Sequence, residues 1–244
     1  MTQMPQTARY GGNVLAAEAQ QDARTDFIRK TYLHLIGAIL AFMAIELLIF
    51  RNVDVGALTR SMLGGYSWLI VLGLFLVVSW LARSWASSAT SIGIQYAGLS
   101  LYVVAQAVIF VPILYLANQL SLRTGGANII GTAAAATLLM FGGLTGFVFL
   151  TRKDFSFLRG ALVIGGIAAF VLVVAATFFG FNLGIFFTVA MIALASGYIL
   201  YDTSNVLHHY RIGQHVAASL ALFASVALLF WYMLRLLMYF NSRD

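Results

Sequence analysis

Asp202 and Arg83 are the side chains with the clearest capacity for chemistry, because each carries charge in or beside a long apolar run. Asp202 lies near the end of one run, in Tyr198-Ile-Leu-Tyr-Asp-Thr-Ser-Asn205, and Arg83 closes another. The chain's order brings both to one membrane level. A carboxylate balanced between burial and a guanidinium can serve as a proton-operated latch or as a cation ligand. The competing reading is a solvated Asp at a helix end, with Thr203-Ser204-Asn205 as the start of a loop.

Few other ionisable or polar groups interrupt the apolar runs. Glu46 sits within Ala44-Ile-Glu-Leu-Leu48, and Arg235 falls late in the last run, so the two could pair or Glu46 could face a water-filled cavity. His34, Gln95 and Gln106 complete the set. His208, His209 and His215 surround Arg211 in one connection. Three histidines could bind zinc or sense pH, but no carboxylate or thiol stands beside them, and solvated loop histidines are the simpler expectation.

Enzyme and receptor chemistries fail for lack of parts. The two lysines, Lys30 and Lys153, both lie outside apolar runs, so no retinal Schiff base can form in the last one. Ser196-Gly197 has no histidine base in reach, since His34 is the one histidine within a run. No phosphate-binding loop and no HExxH pair is present. The reading is not an enzyme, with no cofactor and no nucleic-acid partner.

What must position these groups is a set of membrane-spanning helices. Of the 244 residues, 61% are hydrophobic and 9% charged, against roughly 25% charged in an ordinary soluble domain. A globule of this size could not hide so much apolar surface from water, so its solvent is lipid. Inside lipid every backbone polar group needs an internal partner, which leaves a helix bundle or a closed barrel. Continuous apolar runs near the ~20 residues of a spanning helix exclude the alternating pattern of a barrel. Seven spans are expected, over 32–50, 62–82, 92–116, 129–150, 160–180, 183–205 and 217–240, with 1–26 as a flexible cytoplasmic tail and 27–244 as the transmembrane domain. Pro112 should kink the third. Gly142 and Gly146 offer a small-residue face for close helix approach, and Gly165, Gly166 and Gly197 offer further contact points.

The net charge of +6 comes from basic residues scattered through the connections. With the N-terminus inside, nine Lys and Arg lie on the inner side (Arg9, Arg24, Arg29, Lys30, Arg83, Arg152, Lys153, Arg159, Arg211) and five on the outer (Arg51, Arg60, Arg123, Arg235, Arg243). That count favours a cytoplasmic N-terminus and, with seven spans, an outside C-terminus.

Four stretches carry a family likeness. They are Ile28-Arg-Lys-Thr-Tyr-Leu33, Phe110-Val-Pro112, Thr151-Arg-Lys-Asp-Phe-Ser-Phe-Leu158 and Gly197-Tyr-Ile-Leu-Tyr-Asp202, of which the last two are specific. With them the chain, from about Phe27 to Arg235, resembles the Bax inhibitor-1/YccA-like family of seven-span membrane proteins. The resemblance implies an all-α bundle of six helices around a central seventh. It implies a bacterial inner membrane and a pH-sensitive calcium leak, with Ca²⁺ as cargo rather than cofactor. Another bacterial relative instead modulates an AAA-type membrane protease, so a binding protein acting through its tail is the alternative.

In the calcium-leak relatives two aspartates, in spans six and seven, share a proton, and an arginine of span two contacts them. Asp202 matches the first aspartate and Arg83 the arginine; Asp202 is thereby the implied calcium contact. At the second aspartate this chain departs, because Leu220-Ala-Leu-Phe-Ala-Ser-Val-Ala-Leu-Leu-Phe230 places Ser225 there. A serine can donate to Asp202 but cannot titrate with it as a coupled pair. The implied ion-pathway and pH-sensing set is Asp202, Arg83 and Ser225, to which the acid at Glu46 is added.

Overall fold

The computed structural model describes residues 14–88, 91–126 and 128–242. Among the described residues eight α-helices follow one another: α1 (Gln21–Asn52), α2 (Val55–Leu63), α3 (Ser67–Ala86), α4 (Ile92–Arg123), α5 (Ile129–Thr151), α6 (Arg159–Phe179), α7 (Gly184–His208) and α8 (His215–Asn241). A 3-10 turn, Ser156–Leu158, leads into α6. All except α2 are long and apolar enough to cross a membrane. The bundle is all-α and polytopic, as the composition demands.

Local chemistry sets the boundaries. The Asp54 side chain caps α2 by accepting from the Ala57 N–H at 2.9 Å, and Asn128 caps α5 by accepting from the Gly131 N–H at 2.9 Å. Gly180, at φ 72°, ends α6 in the left-handed conformation that glycine adopts at least cost. Helix α4 runs without a break through Pro112. The short α2 was not foreseen: Gly64-Gly65 separates it from α3, so the second span starts at Ser67 rather than 62.

Helix α8 is the axis. It packs against α1, α3, α4, α5 and α7, and 67% of its apolar window is buried, against 6% for the window containing α6. Helix α1 presents one face to it, with Phe27, Thr31, Leu35, Ala38, Phe42 and Glu46 repeating at helical spacing. Phe42 meets both Phe110 of α4 and Phe223 of α8 edge to face. Helix α3 leans on α4, where a methyl placed on Gly98 would come within 2.5 Å of the Ala82 carbonyl.

Two expectations are corrected here. Helix α1 begins at Gln21, inside the stretch 1–26 read as a tail. Residues ahead of it are also tied down: the Ala16 N–H donates to Tyr210 O at 2.9 Å and the Ile212 N–H to Val14 O at 2.9 Å. Ala16 is fully buried, so packed structure reaches back past the expected boundary, while 1–13 lie outside the described residues. Gly142 and Gly146 face open space and are not contact points; Gly165, Gly166 and Gly197 meet Leu194, Tyr198 and Leu162 across the α6–α7 interface.

Candidate functional site

Asp202 lies within α7, nearly two turns before the helix ends at His208. The helix therefore continues through Thr203-Ser204, and both of those residues are fully buried. Asp202 is itself only 9% exposed, which overturns the picture of a solvated Asp at a loop. The Ser225 hydroxyl of α8 donates to its Oδ2 at 2.5 Å. The close α7–α8 packing sets that distance, and a serine is short enough to fit it.

Beside the pair runs a cavity of about 620 Å³, walled by α3, α4, α6, α7 and α8. On α8 it extends from Ala221 to Arg235, roughly 21 Å at about 1.5 Å rise per residue. Its walls are mostly apolar and aromatic. The exceptions are Arg83, Gln106, Asp202, Ser225, Arg235 and the hydroxyls of four tyrosines. Gln106 is buried with its Oε1 free of any partner. The Arg83 guanidinium stacks over Tyr102, 5.5 Å from the ring centre, and that of Arg235 over Tyr232 at 5.9 Å, cation–π contacts that partly compensate a charge in an apolar wall.

The structure thus brings Asp202, Ser225 and Arg83 to one cavity. Direct pairing is not part of the arrangement. Among the described residues the ion pairs within 4.0 Å are Arg29–Asp26, Lys30–Asp26 and His209–Asp154. Arg83 faces the cavity that Asp202 faces, without touching its carboxylate.

Glu46 stands apart, and its expected pairing with Arg235 is wrong. Its register on α1 points it at α4 and α8, where both carboxyl oxygens are buried without a partner. Arg235 shares a register with Leu228, Trp231 and Tyr232 and turns to the cavity instead. Glu46 is absent from the residues lining that cavity.

The three histidines of the α7–α8 connection are also separated. His208 Nδ1 bonds to Ser204 O at 3.0 Å, and His209 Nε2 meets Asp154 Oδ2 at 2.9 Å. His215 opens α8 with its ring 4.9 Å from that of His34, which in turn bonds Tyr96 Oη at 2.8 Å. No group of three or more His, Cys, Asp or Glu placed to hold a metal occurs among the described residues. The His34–Tyr96–His215 cluster, drawn from three helices, could not be read from a sequence that puts its members so far apart.

A clasp joins the segment after α5 to the end of α7. Asp154 accepts from the Ser156 N–H at 2.8 Å, from Ser204 Oγ at 3.3 Å and from His209, while Ser204 Oγ accepts from the Phe155 N–H at 2.9 Å. Partial burial pushes the Asp154 carboxyl up, but hydrogen bonds from Ser156 and His209 outweigh it and hold it at about 2. Its folded value lies below the ordinary one, so the clasp contributes fully above 3.8 and fades as pH falls through about 2. Asp154→Asn is therefore expected to lower the unfolding temperature near pH 5, with the gap to wild type closing toward pH 2. A gap that stays constant over that range would assign the loss to shape rather than charge.

A family model described as "Inhibitor of apoptosis-promoting Bax1" matches residues 24–242. The chain belongs to this family. Among its Bax1-inhibitor relatives is "Modulator of FtsH protease YccA" of Escherichia coli (strain K12), 33% identical over 124 residues, covering 50% of this chain and 56% of the relative. An "Inner membrane protein YccA" of a second Escherichia coli strain matches equally. An uncharacterized protein of Campylobacter jejuni is 35% identical over 138 residues, 52% of this chain and 55% of that protein. The matched region thus spans about half the length of these curated relatives.

Proposed function

We propose that this Bax1-inhibitor protein is an ion-homeostasis factor of a bacterial inner membrane that lets cations, calcium foremost, leak along the Asp202 cavity. One observation carries the reading: a buried carboxyl, hydrogen-bonded to Ser225, faces a cavity of about 620 Å³ running along the central helix. Calcium takes oxygen ligands, and the free Oε1 of Gln106 adds a second oxygen to the same wall. The excess of Lys and Arg supports an orientation with the N-terminus and the Asp154 clasp on the cytoplasmic side and the C-terminus outside. The protein is no enzyme and needs no resident cofactor in this account. Ser225 in place of a second carboxyl removes coupled titration at this site, so Asp202 responds to protons there without a carboxylate partner.

Calcium entry into proteoliposomes tests it. Asp202→Asn is expected to cut flux at least tenfold and to flatten its pH dependence, with folding checked by thermal unfolding. Unchanged flux and an unchanged pH profile would remove Asp202 from the pathway.

A second reading is favoured by the relative named a modulator of FtsH protease, together with the missing second carboxyl. In it the protein binds an AAA-type membrane protease and transports nothing. Because residues 14–16 are stitched to the α7–α8 connection, the clean truncation removes residues 1–13 and leaves that bridge intact. Protease binding that is lost on this truncation, in a protein whose proteoliposomes pass no calcium, favours this reading; calcium flux that survives the truncation favours the first.

A further inference from the structure

The cavity has an open side, and its charge balance differs from what a cation path alone would need. Helix α3 packs on α2, α4 and α8 but has no comparable packing on α6 or α7, so a groove opens sideways between α3 and α6. Leu76 on one rim is 48% exposed and Phe170 on the other 42%, and Arg83 is exposed at one end. In a bilayer this groove borders hydrocarbon. There its rim is apolar, at Leu72, Leu76 and Phe170, and such a rim favours an acyl chain over water, with the buried Asp202, Ser225 and Gln106 lying behind it.

The charges say which matter. The groove holds two guanidiniums, Arg83 and Arg235, against one carboxyl, which already accepts from Ser225. Neither guanidinium has a carboxylate within 4.0 Å among the described residues. Arg83 lies in the last turn of α3, flanked by the exposed Trp80 and Trp85, the aromatic pattern of headgroup depth. Arg159, the first residue of α6, is exposed on the opposite wall's helix at the same end of the bundle. A guanidinium presents paired N–H donors that fit two phosphate oxygens. From Arg83 the groove continues past Leu76 and Leu72 to Trp68, roughly 22 Å of α3 at about 1.5 Å per residue, room for an acyl chain.

We propose that the α3–α6 groove is a binding site for one acidic phospholipid of the surrounding bilayer, its phosphate on Arg83 and an acyl chain along Leu72, Leu76 and Phe170. The site does not depend on ion passage: it follows from the groove's opening and its unpaired guanidinium. A phosphate there also competes with Asp202 for Arg83, and it matches a guanidinium that sits over Tyr102 rather than on the carboxyl.

The test counts retained lipid on the full chain by native mass spectrometry, after extraction from membranes of phosphatidylcholine and phosphatidylglycerol. One phosphatidylglycerol per chain is expected on wild type, raising its unfolding temperature over a phosphatidylcholine-only preparation. Arg83→Gln should lower that retention at least tenfold, Arg83→Lys should partly restore it, and Arg51→Gln, on α1 away from the groove, should leave it in place. Because Arg83→Gln could unfold the protein, Ala169→Phe, which fills the groove while keeping Arg83, should lose the lipid as well. Inorganic phosphate, a headgroup without a tail, should give no stabilisation. Equal retention of phosphatidylcholine, retention unaffected by either Arg83→Gln or Ala169→Phe, or stabilisation by phosphate alone would overturn the site.

Discussion

Gly98→Ala should cost the fold more than almost any other added methyl, lowering the unfolding midpoint by roughly 5–10 °C. The new Cβ would stand 2.5 Å from the Ala82 carbonyl, 2.6 Å from the Ala86 amide nitrogen and 3.0 Å from Trp85 Cβ. Two of these are backbone atoms of α3, which cannot swing aside as a side-chain end can. The helices must part, and overpacking of this kind costs about 1–3 kcal/mol, or a few degrees per kcal/mol in a chain of this size. Helix α3 also carries Arg83 one residue from the Ala82 contact, so the displacement would reach the cavity. Gly146→Ala provides the contrast. Nothing lies within 4 Å of the added atom, and a helical Gly→Ala change gains about 0.5–1 kcal/mol in backbone entropy. Unfolding of both variants in detergent, followed by circular dichroism, decides the matter; equal midpoints would mean that α3 and α4 are not in backbone contact at Gly98.

The second large effect concerns the Asp202–Ser225 bond. Ser225→Ala strips a buried carboxyl of the donor it has in the structure, and an unsatisfied buried acceptor costs about 1–3 kcal/mol. Asp202→Ala should cost a similar amount, part of it for the small void left behind. Removing both leaves no orphan, so the double variant should lose less than the sum of the singles, by roughly 0.5–3 kcal/mol. Reversible unfolding in sodium dodecyl sulfate supplies the four corners of the cycle. Strict additivity would mean that the two side chains do not interact, and with it the polar half of the site would go.

The helical class and the seven long apolar helices were legible because lipid imposes a length and a composition that leave few alternatives. Asp202 was legible for the same reason, as an acid in an apolar run is conspicuous. Its surroundings were not. Whether Asp202 ended a helix or lay within one turned on α7 continuing to His208, which Thr203-Ser204-Asn205 argued against locally and which burial of Thr203 and Ser204 against neighbouring helices decided. The Glu46–Arg235 pair failed because depth along the membrane was taken for proximity. Two residues at one level can face opposite sides of α8, and helix rotation was the missing coordinate. Gly98 went unnoticed beside the denser glycines of α5, since a close approach depends on where the partner helix lies rather than on how many small residues are present. The Asp154–His209 clasp had a signal in sequence, an acid and a histidine in connections at the same face.

The N-terminal stitching has a mechanical corollary. Residues 14–16 pair with the α7–α8 connection, Arg24 Nη2 donates to Leu207 O at 3.4 Å, and the Asp154 clasp grips Ser204 and His209. Three separate moorings thus end on the last two turns of α7, the helix that carries Asp202, or on the connection directly after it. Torque applied to the leading segment, by a pulling tag or by a protein that seizes it, is delivered to α7 and through it to the carboxyl.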